Sequence, residues 1–160
     1  MKVDVFDTAW VCGDKRLIGF NDDLKRNGYT LNSFPGANIL WLLPYGHEVG
    51  KIQLNESIGL AHEFGLGKMH MLIQLHEDCH FVKRHRKSLA IQAMLMGMHW
   101  PEDKFEQLYT LSIMLMGTTR TFLNEIGYSQ ERFSMETEFI VKVGENGWKI
   151  AKSLDLALAS

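Results

Sequence analysis

The chain has 160 residues, 46% apolar and 22% charged, a composition that supports one folded core and argues against a disordered or fibrous chain. A formal net charge of −2 and a pI near 6.4 give no globally basic surface for nucleic acid or an anionic membrane, so either partner would need a local patch. Two cysteines, Cys12 and Cys79, are too few for a disulfide scaffold and read as reduced thiols.

The start, Met1-Lys2-Val3-Asp4-Val5-Phe6-Asp7, carries acids where a signal peptide has its apolar run, and no apolar stretch approaches the roughly 20 residues of a membrane span. These features predict a single cytoplasmic domain over 1–160 with no membrane partner. Val3 to Val11 alternates as a strand does, and Arg16 to Phe20 reads as its hairpin partner across the Cys12-Gly13-Asp14-Lys15 turn. Asn21 to Asn27 resembles a capped helical turn closed by Gly28. Tyr29 to Phe34 and Ala37 to Leu43 read as extended, punctuated by Pro35-Gly36 and Pro44.

From Leu54 the period becomes helical, with Asn55 or Ser57 as cap and Ile58, Ala61 and Phe64 on one face up to the Gly65-Leu66-Gly67 break. A second helix is expected from Lys68 to Lys87, and two methionine-rich helices from Ser88 to Met98 and from Glu102 to Ile126, with Pro101 near the first turn of the latter. Near the end, Glu138 to Val143 and Trp148 to Ala151 flank Asn146-Gly147, a hairpin signal. The expected class is therefore α+β, a helical majority with an N-terminal and a C-terminal β-hairpin.

All seven histidines fall between His47 and His99. Among them His76-Glu77-Asp78-Cys79-His80 has the form H-E-x-x-H, which on a helix sets two imidazoles one turn apart, able to share a zinc ion. On a helical wheel Met69, Leu72, Ile73, His76, Cys79 and His80 share one arc, so both imidazoles would face the interior. These five residues resemble the motif of the zincin metallopeptidases. The resemblance implies a zinc cofactor held by His76 and His80, with Glu77 as general base and a peptide or protein as substrate. It also implies a third ligand downstream, for which Glu102 is preferred, with His99 and Asp103 as alternatives.

A competing reading takes residues 57–87 as a helix-turn-helix-like pair. Ala61 would allow close packing and Gly65 the turn, with Lys83, Arg84, Arg86 and Lys87 placed for DNA phosphates. Cys79 on an apolar arc reads as inert core, and neither a P-loop nor a dinucleotide fingerprint is present. The function expected is a small zinc-dependent, peptidase-like hydrolase. The alternative is a non-enzymatic binding or assembly protein that meets DNA or another protein.

Overall fold

A computed structural model describes residues 5–128, 132–142 and 148–157. Strand β1 (Val5–Cys12), buried from Thr8 onward, leads through a one-turn 3-10 segment at Lys15–Leu17 into helix α1 (Ile18–Arg26). Strand β2 (Thr30–Phe34) and two 3-10 turns, Ile39–Leu42 and Pro44–Gly46, precede helix α2 (His47–Glu63). Strand β3 (Lys68–His76) is followed by α3 (His80–Arg84), α4 (Arg86–Leu95) and the long α5 (Lys104–Ile126). Strands β4 (Phe133–Lys142) and β5 (Trp148–Ala157) end the described chain.

The strands form one sheet in the order β2-β1-β3-β4-β5. The first three pairings are parallel and the last, β4 with β5, is antiparallel. Helices cover both faces. On one, Phe6 meets Phe64 just past α2, and Trp10 meets Trp41 edge-on at 4.9 Å between ring centroids. On the other, Gln74 of β3 bonds to Asn21 of α1.

Helix and strand are mixed, with helix in excess, as expected, but the strands are laid out differently. The N-terminal hairpin is not formed: Arg16–Phe20 turns into helix, because Asp14 caps that turn by accepting from the Arg16 N–H at 2.9 Å, while β1 takes distant strands on both sides. Ala37–Leu43 is not extended either, since Ile39–Leu42 coils into a 3-10 turn.

The largest correction concerns 68–87. Lys68–His76 is a strand, so the expected helix and the helix-turn-helix-like pair at 57–87 are both absent. Flanked in parallel by β1 and β4 and covered on both faces, β3 has no solvent side and hence no alternation, and such a run has the composition of a buried helix. The helices expected near 88–98 and 102–126 are present as α4 and α5 with shifted ends. At the C-terminal end β4 and β5 are longer than expected, and the Gly144–Gly147 turn lies outside the described residues. No helix among the described residues is long and apolar enough to cross a membrane.

Helix α2 approaches α5 and the 39–42 turn through Gly50. A Cβ built there would lie 2.7 Å from the ring of Phe122 and 2.8 Å from that of Trp41, both buried and rigid. Alanine is favoured over glycine inside a helix by about 1 kcal/mol, whereas overpacking a closed core costs about 1–3 kcal/mol. Gly50→Ala is therefore expected to lower stability in urea unfolding. A gain would mean that the contact relaxes freely.

Candidate metal centre

Two strand ends supply the first two donors. Cys12 is the last residue of β1 and His76 the last of β3, and these strands are parallel neighbours. The chain leaves β1 for β2 on one side and returns to β3 on the other, so the crevice beyond their carboxyl ends is the point where strand order reverses, the usual ligand position in open parallel sheets. The third donor, Cys79, caps the N-terminus of α3. It comes close to His76 because the intervening turn reverses sharply at Asp78, whose φ of 57° is left-handed, a conformation aspartate tolerates better than most residues.

Donor atoms of Cys12, His76 and Cys79 lie within 4.8 Å of one another, and all three residues are buried. No further histidine, cysteine or acid among the described residues joins the group. His76 Nδ1 lies 2.8 Å from the Glu77 carbonyl oxygen. That oxygen can only accept, so Nδ1 carries the proton and Nε2 keeps its lone pair. Nε2 is buried and finds no hydrogen-bond partner in the protein, which is the state of an imidazole waiting for a cation.

The thiols are matched to the same role. The Cys79 thiol hydrogen-bonds to Cys12 and pulls its pKa well below the usual thiol value, with the Gly36 N–H acting the same way against the cost of burial. The Cys12 thiolate in turn pushes the Cys79 thiol up, and burial adds to this. A metal held by both sulfurs would displace the thiol proton that the pair retains without it.

Two thiolates and one imidazole, all buried, with a neutral imidazole fixed by a backbone carbonyl, select a soft-to-borderline cation that accepts nitrogen and sulfur. The donor set is that of zinc. The expectation of zinc holds, but of its expected ligands only His76 belongs to the centre.

The surroundings hold these donors in place. The Gly36 N–H donates to Cys12 Sγ at 3.3 Å. Glycine is required there, since φ is +74° and a Cβ would lie 2.7 Å from Phe81 of α3. A ring of hydrogen bonds clamps the Cys12 peptide: its N–H donates to Gln74 Oε1 at 2.9 Å, Gln74 Nε2 donates to Asn21 Oδ1 at 2.7 Å, and Asn21 Nδ2 donates to the Cys12 carbonyl at 3.3 Å. This explains an amide side chain, 1% exposed, inside an otherwise apolar strand. Arg16 grips both oxygens of Asp14, at 2.6 to 3.1 Å, and donates to the Asp78 carbonyl at 3.1 Å, tying the loop after β1 to the loop after β3. The Arg16 hydrogen bond holds the Asp14 carboxyl down to about 2.

The H-E-x-x-H resemblance is overturned by this geometry. The five residues span a strand end, a turn and the first residue of another helix, so His76 and His80 never share a helical face. His80 is exposed. Glu77 contributes its backbone carbonyl to His76, and its carboxylate is not part of the group, so no general base of the zincin kind is built. His99, Glu102 and Asp103 are exposed, and Asp103 caps α5 by accepting from the Glu106 N–H at 2.9 Å. The basic run is likewise not a phosphate-reading face of paired helices: Lys83 pairs with Asp78 at 3.3 Å, and Arg84, Arg86 and Lys87 lie along the short α3 and the start of α4.

No protein-family description matches the chain, and no curated protein matches it in sequence. Among solved structures it is similar to the crystal structure of beta-carbonic anhydrase isoform I from the Trichomonas vaginalis protozoan, at 16% identity over 98% of this chain and 87% of that one, with a TM-score of 0.45. So distant a likeness decides nothing about chemistry, which rests on the centre itself.

Sequence reasoning missed Cys12, Gln74, Asp14 and Arg16, and it took Cys79, a donor of the centre, for inert core. A signal existed in His76-x-x-Cys79, a short spacing that suits two ligands in one turn, and in the lone glutamine within an apolar run.

About one zinc per chain is expected in protein purified without a histidine tag, and Cys12→Ser, His76→Ala and Cys79→Ser should each lose it by elemental analysis, while His80→Ala retains it. Gln74→Leu should keep the ligands yet weaken zinc retention against a chelator by about 10–100-fold, the usual cost of removing an outer-shell partner.

Proposed function

We propose that the chain is a zinc enzyme that adds water to a small uncharged electrophilic carbon, carbon dioxide being the substrate that fits best. The observation carrying this reading is the three-donor centre at the reversal of strand order. Cys12, His76 and Cys79 would hold the metal, and three protein ligands without a fourth characterise a catalytic site, whereas a structural zinc is closed by four. When bound, zinc supplies a nucleophile by lowering the pKa of its water from 15.7 to about 7.

The chain's own residues do the rest. Asp14, kept ionised by Arg16, can only accept, so it orients a water by taking its hydrogen bond and turns away other acceptors. Arg16 fixes that carboxylate relative to both ligand-bearing loops. A mostly apolar pocket of about 140 Å³ is lined by Phe34, Pro35, Ala37, Leu40, Trp41, Gln53 and Phe81. Two of its lining residues, Pro35 and Ala37, flank Gly36, whose N–H bonds Cys12 Sγ. A pocket this small and mostly apolar suits a molecule of the size and polarity of carbon dioxide and offers little to an extended peptide. A centre with two thiolate ligands also works best where thiols stay reduced, which supports a cytoplasmic location.

Stopped-flow hydration of carbon dioxide with a pH indicator tests the reading. Zinc-loaded protein is expected to catalyse it in proportion to bound zinc, His76→Ala to fall to the uncatalysed rate, and Asp14→Asn to lose about 100-fold, the low end for removing one preorganised hydrogen-bonding group. Zinc-loaded protein with no activity above background would remove the reading. The Asp14 pKa is lower in the folded chain than unfolded, so the Asp14–Arg16 pair stabilises the fold fully above 3.8 and ceases to do so as pH falls through about 2.

A further inference from the structure

We propose that Cys12 and Cys79 are also an oxidation site, which a peroxide joins in a reversible disulfide. The ejection of zinc that follows rests on the zinc reading; the disulfide itself does not. Cys12 and Cys79 are free thiols, buried together, with Sγ atoms within 4.8 Å. They stand on different elements, the end of β1 and the cap of α3, and a disulfide needs an S–S separation of about 2.05 Å. Closing that gap takes rotation of the two side chains toward one another.

Access is built in. A cavity of about 20 Å³, lined by His76, Cys79, Val82, Arg86, Gln107 and Leu108 among others, leads from the surface to the Cys79 side of the centre. It has room for roughly one water, and hence for one end of hydrogen peroxide. The pair is held away from other thiols, since the chain has only these two cysteines, so the oxidised sulfur has a single resolving partner.

The steps balance with peroxide as oxidant. One sulfur attacks a peroxide oxygen, the O–O bond breaks and hydroxide leaves, giving a sulfenic acid. The second sulfur attacks the sulfenic sulfur, the S–O bond breaks and a second hydroxide leaves. The two sulfurs each give one electron to the new S–S bond, peroxide is reduced by two electrons, and two protons convert the hydroxides to water. With both thiolates consumed, His76 is the one ligand left, and a single imidazole does not retain zinc.

The test treats metal-free and zinc-loaded wild-type protein with one equivalent of hydrogen peroxide and follows intact mass, thiol titration and zinc release to a colorimetric chelator. The expected result is a loss of two hydrogens, disappearance of both thiols, release of the bound zinc in step, and return of all three after dithiothreitol. Addition of two or three oxygens to one cysteine with the other thiol still titratable would overturn the proposal. Survival of both thiols would overturn it equally. A disulfide in protein that takes up no zinc on loading would sustain the pair and discard the zinc reading, so the two failures are distinct. Because all readouts use the wild type, folding of a cysteine variant does not enter.

Discussion

Parallel pairing of β1 with β3 is the constraint on which the centre depends. Neighbouring strands sit about 4.8 Å apart, and in a parallel pair their carboxyl ends emerge on the same side. Residues that end two such strands are therefore delivered to one crevice by backbone hydrogen bonds alone, before any side chain chooses a rotamer. Cys12 and His76 occupy those ends, and the registered pairs from Val5↔Lys68 to Trp10↔Ile73 fix where they emerge. An antiparallel hairpin at the N-terminus would have sent Cys12 into a turn with no partner strand end beside it.

The cost of this arrangement is a set of polar groups inside a dry core, and the structure offsets it locally. Gln74 and Asn21 satisfy both sides of the Cys12 peptide, Gly36 donates an N–H to the Cys12 sulfur, and the Glu77 carbonyl accepts a hydrogen bond from His76 Nδ1. A buried amide left without partners costs about 1–3 kcal/mol, so a half-built ring would be worse than none. Among the described residues, His76 Nε2 is the side-chain atom of the centre that is buried without a hydrogen-bond partner. The strain concentrates there as well: Ala37 and Asp78, the non-glycine residues with positive φ, flank the centre in the loops after β2 and β3.

Much of the secondary structure was legible, because Val5–Cys12, Thr30–Phe34, the body of α2 and the long α5 carry periodicity or flanking signals strong enough to survive tertiary context. The failure at Lys68–His76 has a definite cause. A strand buried on both faces carries no alternation, and the pattern Met69-His70-Met71-Leu72-Ile73-Gln74-Leu75 is equally apolar read at either period. That single misassignment placed His76 and His80 on a common helix, made a five-residue match look like a zinc motif, and hid the strand end that matters. Zinc was expected from that five-residue match, and it holds on a different donor set in which His76 is the one histidine. That donor set was not legible, because Cys12 and His76 meet through sheet order, which no local spacing records.

Zinc K-edge X-ray absorption on the as-purified protein is the most direct test of the central claim. The centre described here requires a shell of two sulfurs at about 2.3 Å, one imidazole nitrogen at about 2.0–2.1 Å and one further light atom. A shell of nitrogen and oxygen alone, with no sulfur scattering, would place the metal on other residues and contradict the account.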